Sequence, residues 1–165
     1  MRHPDIRPAT AADVPEILRL VHDLAAYERE PDAVEASEAD FMTALFPEEG
    51  APTAACHVAV GGEGEGRRVV GIALWFLTFS TWTGTNGIHL EDLYVEPEHR
   101  GSGLGKALLL TLADECRARG YRRLEWSVLR WNTPSIEFYE SLGAVPQSEW
   151  ETYRLDGDGL SAVAP

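Results

Sequence analysis

A chain of 165 residues, 44% hydrophobic and 25% charged, is long enough for one domain with a real core, and it holds no apolar run of membrane-spanning length. Its net charge of −13, from 14 Lys and Arg against 27 Asp and Glu, argues against a nucleic-acid partner, because neutralising phosphates takes surplus cations. The same acidity suits a small cationic substrate, or simply solubility. The start, M-R-H-P-D-I-R-P, lacks a signal-peptide core. Cys56 and Cys116 are too few for a disulfide framework and lack metal spacing, so they read as reduced, buried thiols of a cytoplasmic protein.

Ile6 to Ala9 reads as a short edge strand stopped at Pro8. Thr10 or Asp13 caps a helix with Pro15 in its first turn, and Val14, Ile17, Leu18, Val21, Leu24 and Ala25 form its apolar stripe. Ser37 to Leu45 predicts a second helix. Strands over Ala54–Val60 and Val69–Phe79, joined by the turn Gly61–Gly66, predict a hairpin, and Trp75, Phe76 and Phe79 suit a sheet centre. A polar loop with Trp82 leads to a strand over Ile88–Val95. A helix over Ser102–Arg119 stops at Gly120, a strand follows over Arg123–Leu129, and Asn132–Leu142 predicts a helix with Gly143 beyond it. Trp150 to Leu155 predicts a last strand, and residues 156–165 a frayed tail. The order βααβββαβαβ predicts an α/β fold with a mixed sheet, helices on both faces and a single domain over 1–165.

The stretch Glu96–Ala107, E-P-E-H-R-G-S-G-L-G-K-A, is the centre of the chain. It lies between a strand and a helix, and its glycines let backbone N–H groups approach a ligand beside the positive end of a helix dipole. That combination suits a phosphate or diphosphate. A Walker loop needs four residues between its glycines and a Ser or Thr where Ala107 stands. A dinucleotide fingerprint needs G-x-G-x-x-G, whereas these glycines fall at every second position. The pattern [QR]-x-x-G-x-[GA] remains, beside a plain glycine-softened helix cap. The histidines His57, His89 and His99 have no second ligand at metal spacing, so no metal is expected.

With Arg100-Gly101-Ser102-Gly103-Leu104-Gly105, the segments I-R-P-A-T-A-A-D, L-A-x-Y-E at 24–28, L-E-D-L-Y-V at 90–95 and N-x-P-S-I-x-F-Y at 132–139 make the chain resemble the GNAT N-acetyltransferases. Within them it is similar to the diamine (spermidine/spermine-type) and thialysine acetyltransferases. The resemblance implies the GNAT fold, acetyl-CoA as cosubstrate and a homodimer. It implies that Arg100, Gly101, Ser102, Gly103, Leu104, Gly105 and Lys106 hold the diphosphate of acetyl-CoA. Leu93, Tyr94 and Val95 pair with the pantetheine arm, and Asn132, Pro134 and Ser135 also touch coenzyme A. Tyr94 reads equally well as a core aromatic, and Asn132 and Ser135 as helix-capping residues.

Acetyl transfer to an amine needs the amine neutral and the departing thiolate protonated. The resemblance gives the acid role to Tyr139, whose phenol stays protonated at neutral pH. Glu91 and Asp92 point to opposite faces of a regular strand, so one faces the amine. The resemblance selects Glu91, as ligand and possible base, and leaves Asp92 structural. It adds Tyr27, Glu28, Trp126, Ser127, Val128 and Glu151 to the acceptor site, an acidic and aromatic lining suited to a di- or polycation. Direct transfer to a polyamine, diamine, thialysine or lysine-like amine is the expected reaction. The alternatives are a peptide or amino-acid acceptor, and a non-catalytic acyl-CoA binder on the same fold.

Overall fold

The computed structural model describes residues 3–62 and 64–163. Met1 and Arg2 of the expected leaderless start, Glu63 of the glycine turn, and Ala164 and Pro165 of the expected tail lie outside the described residues. The chain forms two compact units, one up to Ser127 and one from Val128.

The first unit is built on a five-stranded sheet in the order β1-β2-β3-β4-β5. The strands are β1 (Ile6–Pro8), β2 (Ala55–Gly61), β3 (Arg68–Ser80), β4 (Thr85–Val95) and β5 (Leu124–Trp126). The first three pairings are antiparallel and β4–β5 is parallel, which makes the sheet mixed. The aromatic-rich β3 stands at its centre. It runs to Ser80 and β4 resumes at Thr85, so the expected polar loop shrinks to a tight turn at 81–84.

Helices α1 (Val14–Tyr27) and α2 (Glu38–Leu45) cover one face. Ile17, Leu20 and Leu45 pack there with Val58, Ile72 and Tyr94. Leu20 belongs to the buried side of α1 although the stripe read from sequence omitted it. Helix α3 (Leu104–Arg119) has Val95 beside Gly105, so alternate β4 residues meet helices on opposite faces. Gly120 ends α3 in the left-handed region, φ 71°.

The segment I-R-P-A-T-A-A-D has a structural use. Arg7 grips Asp13 with two hydrogen bonds of 2.7 and 2.8 Å, and the Thr10 N–H and hydroxyl donate to the same carboxylate. These donors hold Asp13 well below the usual carboxylate range, at about 2. Glu96, buried just past β4, accepts from Arg68 at 2.6 Å and pairs with Arg19 of α1 at 2.9 Å. That network ties α1 and β3 to the start of the glycine loop. Glu96, Glu98 and His99 do bring ligand atoms within 4.8 Å of one another. The two guanidinium groups on Glu96 make it a poor cation site. Cys56 and Cys116 are free, buried thiols, and burial pushes the Cys56 thiol up to about 12.

The second unit holds α4 (Thr133–Ser141) and α5 (Gly157–Val163). Two expectations change here. Trp150–Leu155 forms no strand: the adjacent polar residues Glu151 and Thr152 break the two-residue period, and Trp150 and Tyr153 are exposed. The segment expected to fray carries α5. The strand expected over Arg123–Leu129 is confined to Leu124–Trp126.

Candidate active site

Sheet and loop geometry combine where β4 ends. β4 pairs with β5 only at Ile88–Leu90, opposite Leu124–Trp126, while it stays paired with β3 as far as Val95. From Glu91 to Val95, β4 therefore has no strand partner on the β5 side among the described residues. The Glu96 N–H donates to the Val70 carbonyl on β3 at 2.9 Å. By the two-residue period of a strand, Tyr94 also addresses β3, and Leu93 and Val95 turn their peptide groups to the open edge. The side chain of Tyr94 is buried in the α1–α2 core, which favours its reading as a core aromatic.

The loop beyond β4 suits an anion. Gly101 and Gly103 have φ of 76° and 90°, a region that side chains with a Cβ rarely adopt, and a Cβ at either would meet only open space. Gly103 is the N-cap of α3, which has neither a side-chain cap nor an acidic residue in its first turn. Among the described α-helices it alone lacks both: α1 has Glu16, α2 has the Ser37 cap, α4 has the Asn132 cap and α5 has Asp158. The first N–H groups of α3 thus have no intrahelical acceptor, which fits a diphosphate.

Arg100 is directed elsewhere. Its Nε donates to the Val95 carbonyl at 2.9 Å, and its guanidinium carbon lies 5.0 Å from the centroid of Tyr27 and 5.4 Å from that of Tyr94. The side chain therefore braces β4 against α1, leaving loop amides as the anion ligands. Ser102 donates to the His99 carbonyl at 2.6 Å, and Lys106 is exposed.

The acceptor side is acidic. The β3–β4 register passes from Leu74–Asp92 to Trp75–Leu90, so Glu91 is an inserted residue with no partner opposite. A bulge breaks the alternation of side chains. The argument that Glu91 and Asp92 must face opposite ways therefore fails. The Asp92 carboxyl is pushed up to about 6, first by burial and then by the charges of Glu91 and Glu28. Glu28, at the end of α1, is itself raised by burial. Glu91 is 55% exposed, and its carboxylate lies 3.7 Å from His89 Nε2. Asp92, assigned a structural part from sequence, is thus the most perturbed carboxylate beside the open edge. The only sequence signal for this was the E-D pair itself, and a bulge is not visible in such a pair.

Tyr27 and Glu28 follow each other at the end of α1, and Trp126 and Ser127 lie at the end of β5. In the second unit, Asn132 is buried and caps α4, accepting from the Ser135 N–H, with Pro134 in the first turn. Tyr139 is a half-buried residue of α4, its ring 5.3 Å from that of Phe138. Val128 and Glu151 are exposed outside regular structure.

Comparison with known proteins agrees with this geometry. Residues 17–144 match the Acetyltransferase (GNAT) family. The chain is 37% identical to the thialysine N-epsilon-acetyltransferase of Bos taurus, covering 96% of both chains. It is 34% identical to the spermidine/spermine N(1)-acetyltransferase-like protein 1 of Homo sapiens, covering 96% of this chain and 23% of that one. An integron cassette protein from V. cholerae superposes with a TM-score of 0.76 at 26% identity, covering 96% of this chain and 95% of that one. The protein therefore belongs to the GNAT family of acetyltransferases and is an N-acetyltransferase, of a family that takes acetyl-CoA as cosubstrate.

Proposed function

We propose that the protein transfers the acetyl group of acetyl-CoA to a primary amine of a small cationic substrate, such as a polyamine, diamine, thialysine or lysine-like amine, by direct transfer in a ternary complex. The observation that carries this reading is the acidic group of Glu28, Glu91 and Asp92 beside the open edge of β4. Carboxylates that repel one another, here with Asp92 the buried member, are stabilised by a polycation between them. The names of relatives that act on thialysine and spermidine/spermine support the same class.

On the cofactor side, the amides of Gly101 to Lys106 and the N-terminus of α3 take the diphosphate. Leu93 and Val95 offer peptide groups to the pantetheine arm, with Asn132, Pro134 and Ser135 as further contacts. Bound acetyl-CoA supplies the thioester acyl group. Asp92 and Glu28 bind the cationic chain of the acceptor with Tyr27, Trp126, Ser127, Val128 and Glu151. Glu91 accepts the proton of the reacting ammonium, directly or through a water. Tyr139 gives a proton to the departing thiolate. The family resemblance adds a homodimer to this reading, and the composition a cytoplasmic location.

The test is thiol release from acetyl-CoA with spermidine, putrescine, thialysine, lysine and a short peptide as acceptors. Turnover of the di- and polycations above the peptide is the expected result. A preference for the peptide would move the acceptor class, and no release above background would leave only an acyl-CoA binder. Glu28→Gln and Glu91→Gln should each raise the KM of the preferred amine about ten-fold, the loss of one favourable charge contact. An unchanged KM in both would remove this cleft as the amine site.

A further inference from the structure

The proton removed from the acceptor needs somewhere to go. A carboxylate is a weak destination for it, since carboxylic acids ionise near about 4 and alkylammonium groups near about 10. Imidazole lies between, and histidine is the side chain whose ordinary titration falls around neutrality. His89, which none of the roles above uses, stands beside Glu91. Its Nε2 is 3.7 Å from a Glu91 carboxylate oxygen, beyond hydrogen-bond range but close enough for a single water or a side-chain movement to connect them within the proposal below. The ring is held flat against Phe76, its register partner on β3, with centroids 4.9 Å apart and planes at 27°. The side chain is 26% exposed, so it reaches solvent while remaining anchored.

Charges surround this ring from several elements. Glu91 and Asp92 lie on its own strand. Glu125 on β5 is its register partner and is ion-paired with Arg123 at 3.4 Å, and Glu28 at the end of α1 acts on Asp92. β3 contributes the uncharged Phe76. A proton on the imidazole therefore has a carboxylate neighbour along its own strand and another across the β4–β5 pairing.

We propose that His89 is a positioning residue of the acetyl transfer, the second station for the proton that leaves the acceptor ammonium. The ammonium gives one proton to the Glu91 carboxylate, and the pair of electrons of that N–H bond stays on nitrogen as the lone pair that attacks. Protonated Glu91 passes that proton to neutral His89 Nε2, and His89 releases it to solvent. Glu91 and His89 return to their starting states. This inference rests on the amine-acetyltransferase reading, with Glu91 as the base.

The experiment is the pH dependence of kcat/KM with spermidine and thialysine as probes, at saturating acetyl-CoA. It compares the wild type with His89→Gln, which keeps hydrogen bonding, and His89→Phe, which keeps the stack on Phe76. Both variants should lose about ten-fold in kcat/KM at about pH 7, at the low end of what proton transfer contributes. The difference should close toward about pH 10, where the amine ionises by itself. The KM for acetyl-CoA should not change. Added imidazole should restore rate to His89→Ala and leave the wild type unaffected, which a merely structural histidine would not permit. Profiles parallel to wild type in every variant that melts cooperatively, or no rescue by imidazole, would overturn the relay. If the wild type turns over neither amine, the functional reading falls instead. If Glu91→Gln is impaired and the His89 variants are not, the relay alone falls.

Discussion

Asp92 sits among like charges in a largely buried position, and its ionised form is disfavoured in the folded protein. Because its folded value, about 6, lies above the ordinary carboxyl value, its stabilising contribution is complete below about pH 4 and is lost as pH rises through 6. At neutral pH the residue therefore costs the fold something, at most on the order of 3 kcal/mol at about 1.4 kcal/mol per unit. Asp92→Asn should raise the melting temperature at about pH 7.5, lose that gain at about pH 4, and raise the KM of the amine. Calorimetric scans at the two pH values and steady-state kinetics check both halves. A variant less stable than wild type at neutral pH would mean that favourable partners of the carboxylate outweigh its burial and the neighbouring charges. Tyr139→Phe belongs to the same scale. It keeps the ring beside Phe138, removes the hydroxyl, and should lower kcat about ten-fold or more with little change in the melting temperature. These single residues were unevenly legible in the sequence. The motif at 132–139 carries Tyr139 as an expectation. The perturbed setting of Asp92 lies beside one inserted residue in β4, and the bond of the Arg100 side chain to the Val95 carbonyl is not written in the glycine pattern.

At the scale of elements, α3 differs from its neighbours in how its N-terminus is finished. The N-termini of α2 and α4 are satisfied by Ser37 and Asn132, whereas α3 starts at a left-handed glycine with no acid in its first turn. Lys106→Glu would place a negative charge there, favourable to the dipole by about 0.3–1 kcal/mol and unfavourable to a bound diphosphate. The melting temperature should hold or rise while acetyl-CoA affinity by calorimetry falls about ten-fold or more. Equal affinity in variant and wild type would mean that the diphosphate lies elsewhere. Elements with a strong local code were readable in advance: α1 from its apolar period and its early proline, and the β2–β3 hairpin from its glycine turn. Trp150–Leu155 misleads, because its aromatic residues and Thr152 suit a strand while the polar pair Glu151 and Thr152 breaks the two-residue period a half-buried strand needs. The early end of β5 was hidden for a related reason, since Ser127 and Val128 continue an acceptable strand sequence and only the pairing stops.

For the whole molecule, the net charge of −13 acts oppositely on the two substrates. It favours the cationic acceptor proposed above and repels coenzyme A, a multiply charged anion that on the same proposal the main-chain donors of the glycine loop would hold. Raising ionic strength from roughly 0.01 to 0.3 M shortens the screening length from about 30 Å to below 8 Å. The KM of a polyamine should therefore rise with salt, and the KM of acetyl-CoA should fall or stay level. Parallel changes in both would show that local contacts, not the field of the protein, govern encounter.

The brace formed by Arg100 also bears on the time course of encounter. Its guanidinium group is bonded to the Val95 carbonyl and seated against two tyrosines, which braces the entry to the glycine loop before any carrier arrives. Stopped-flow mixing with coenzyme A should then give a single exponential whose rate climbs linearly with concentration, as for one-step capture. In Arg100→Gln, which releases both tyrosines, a second and saturating phase should emerge as the slack segment settles around its guest.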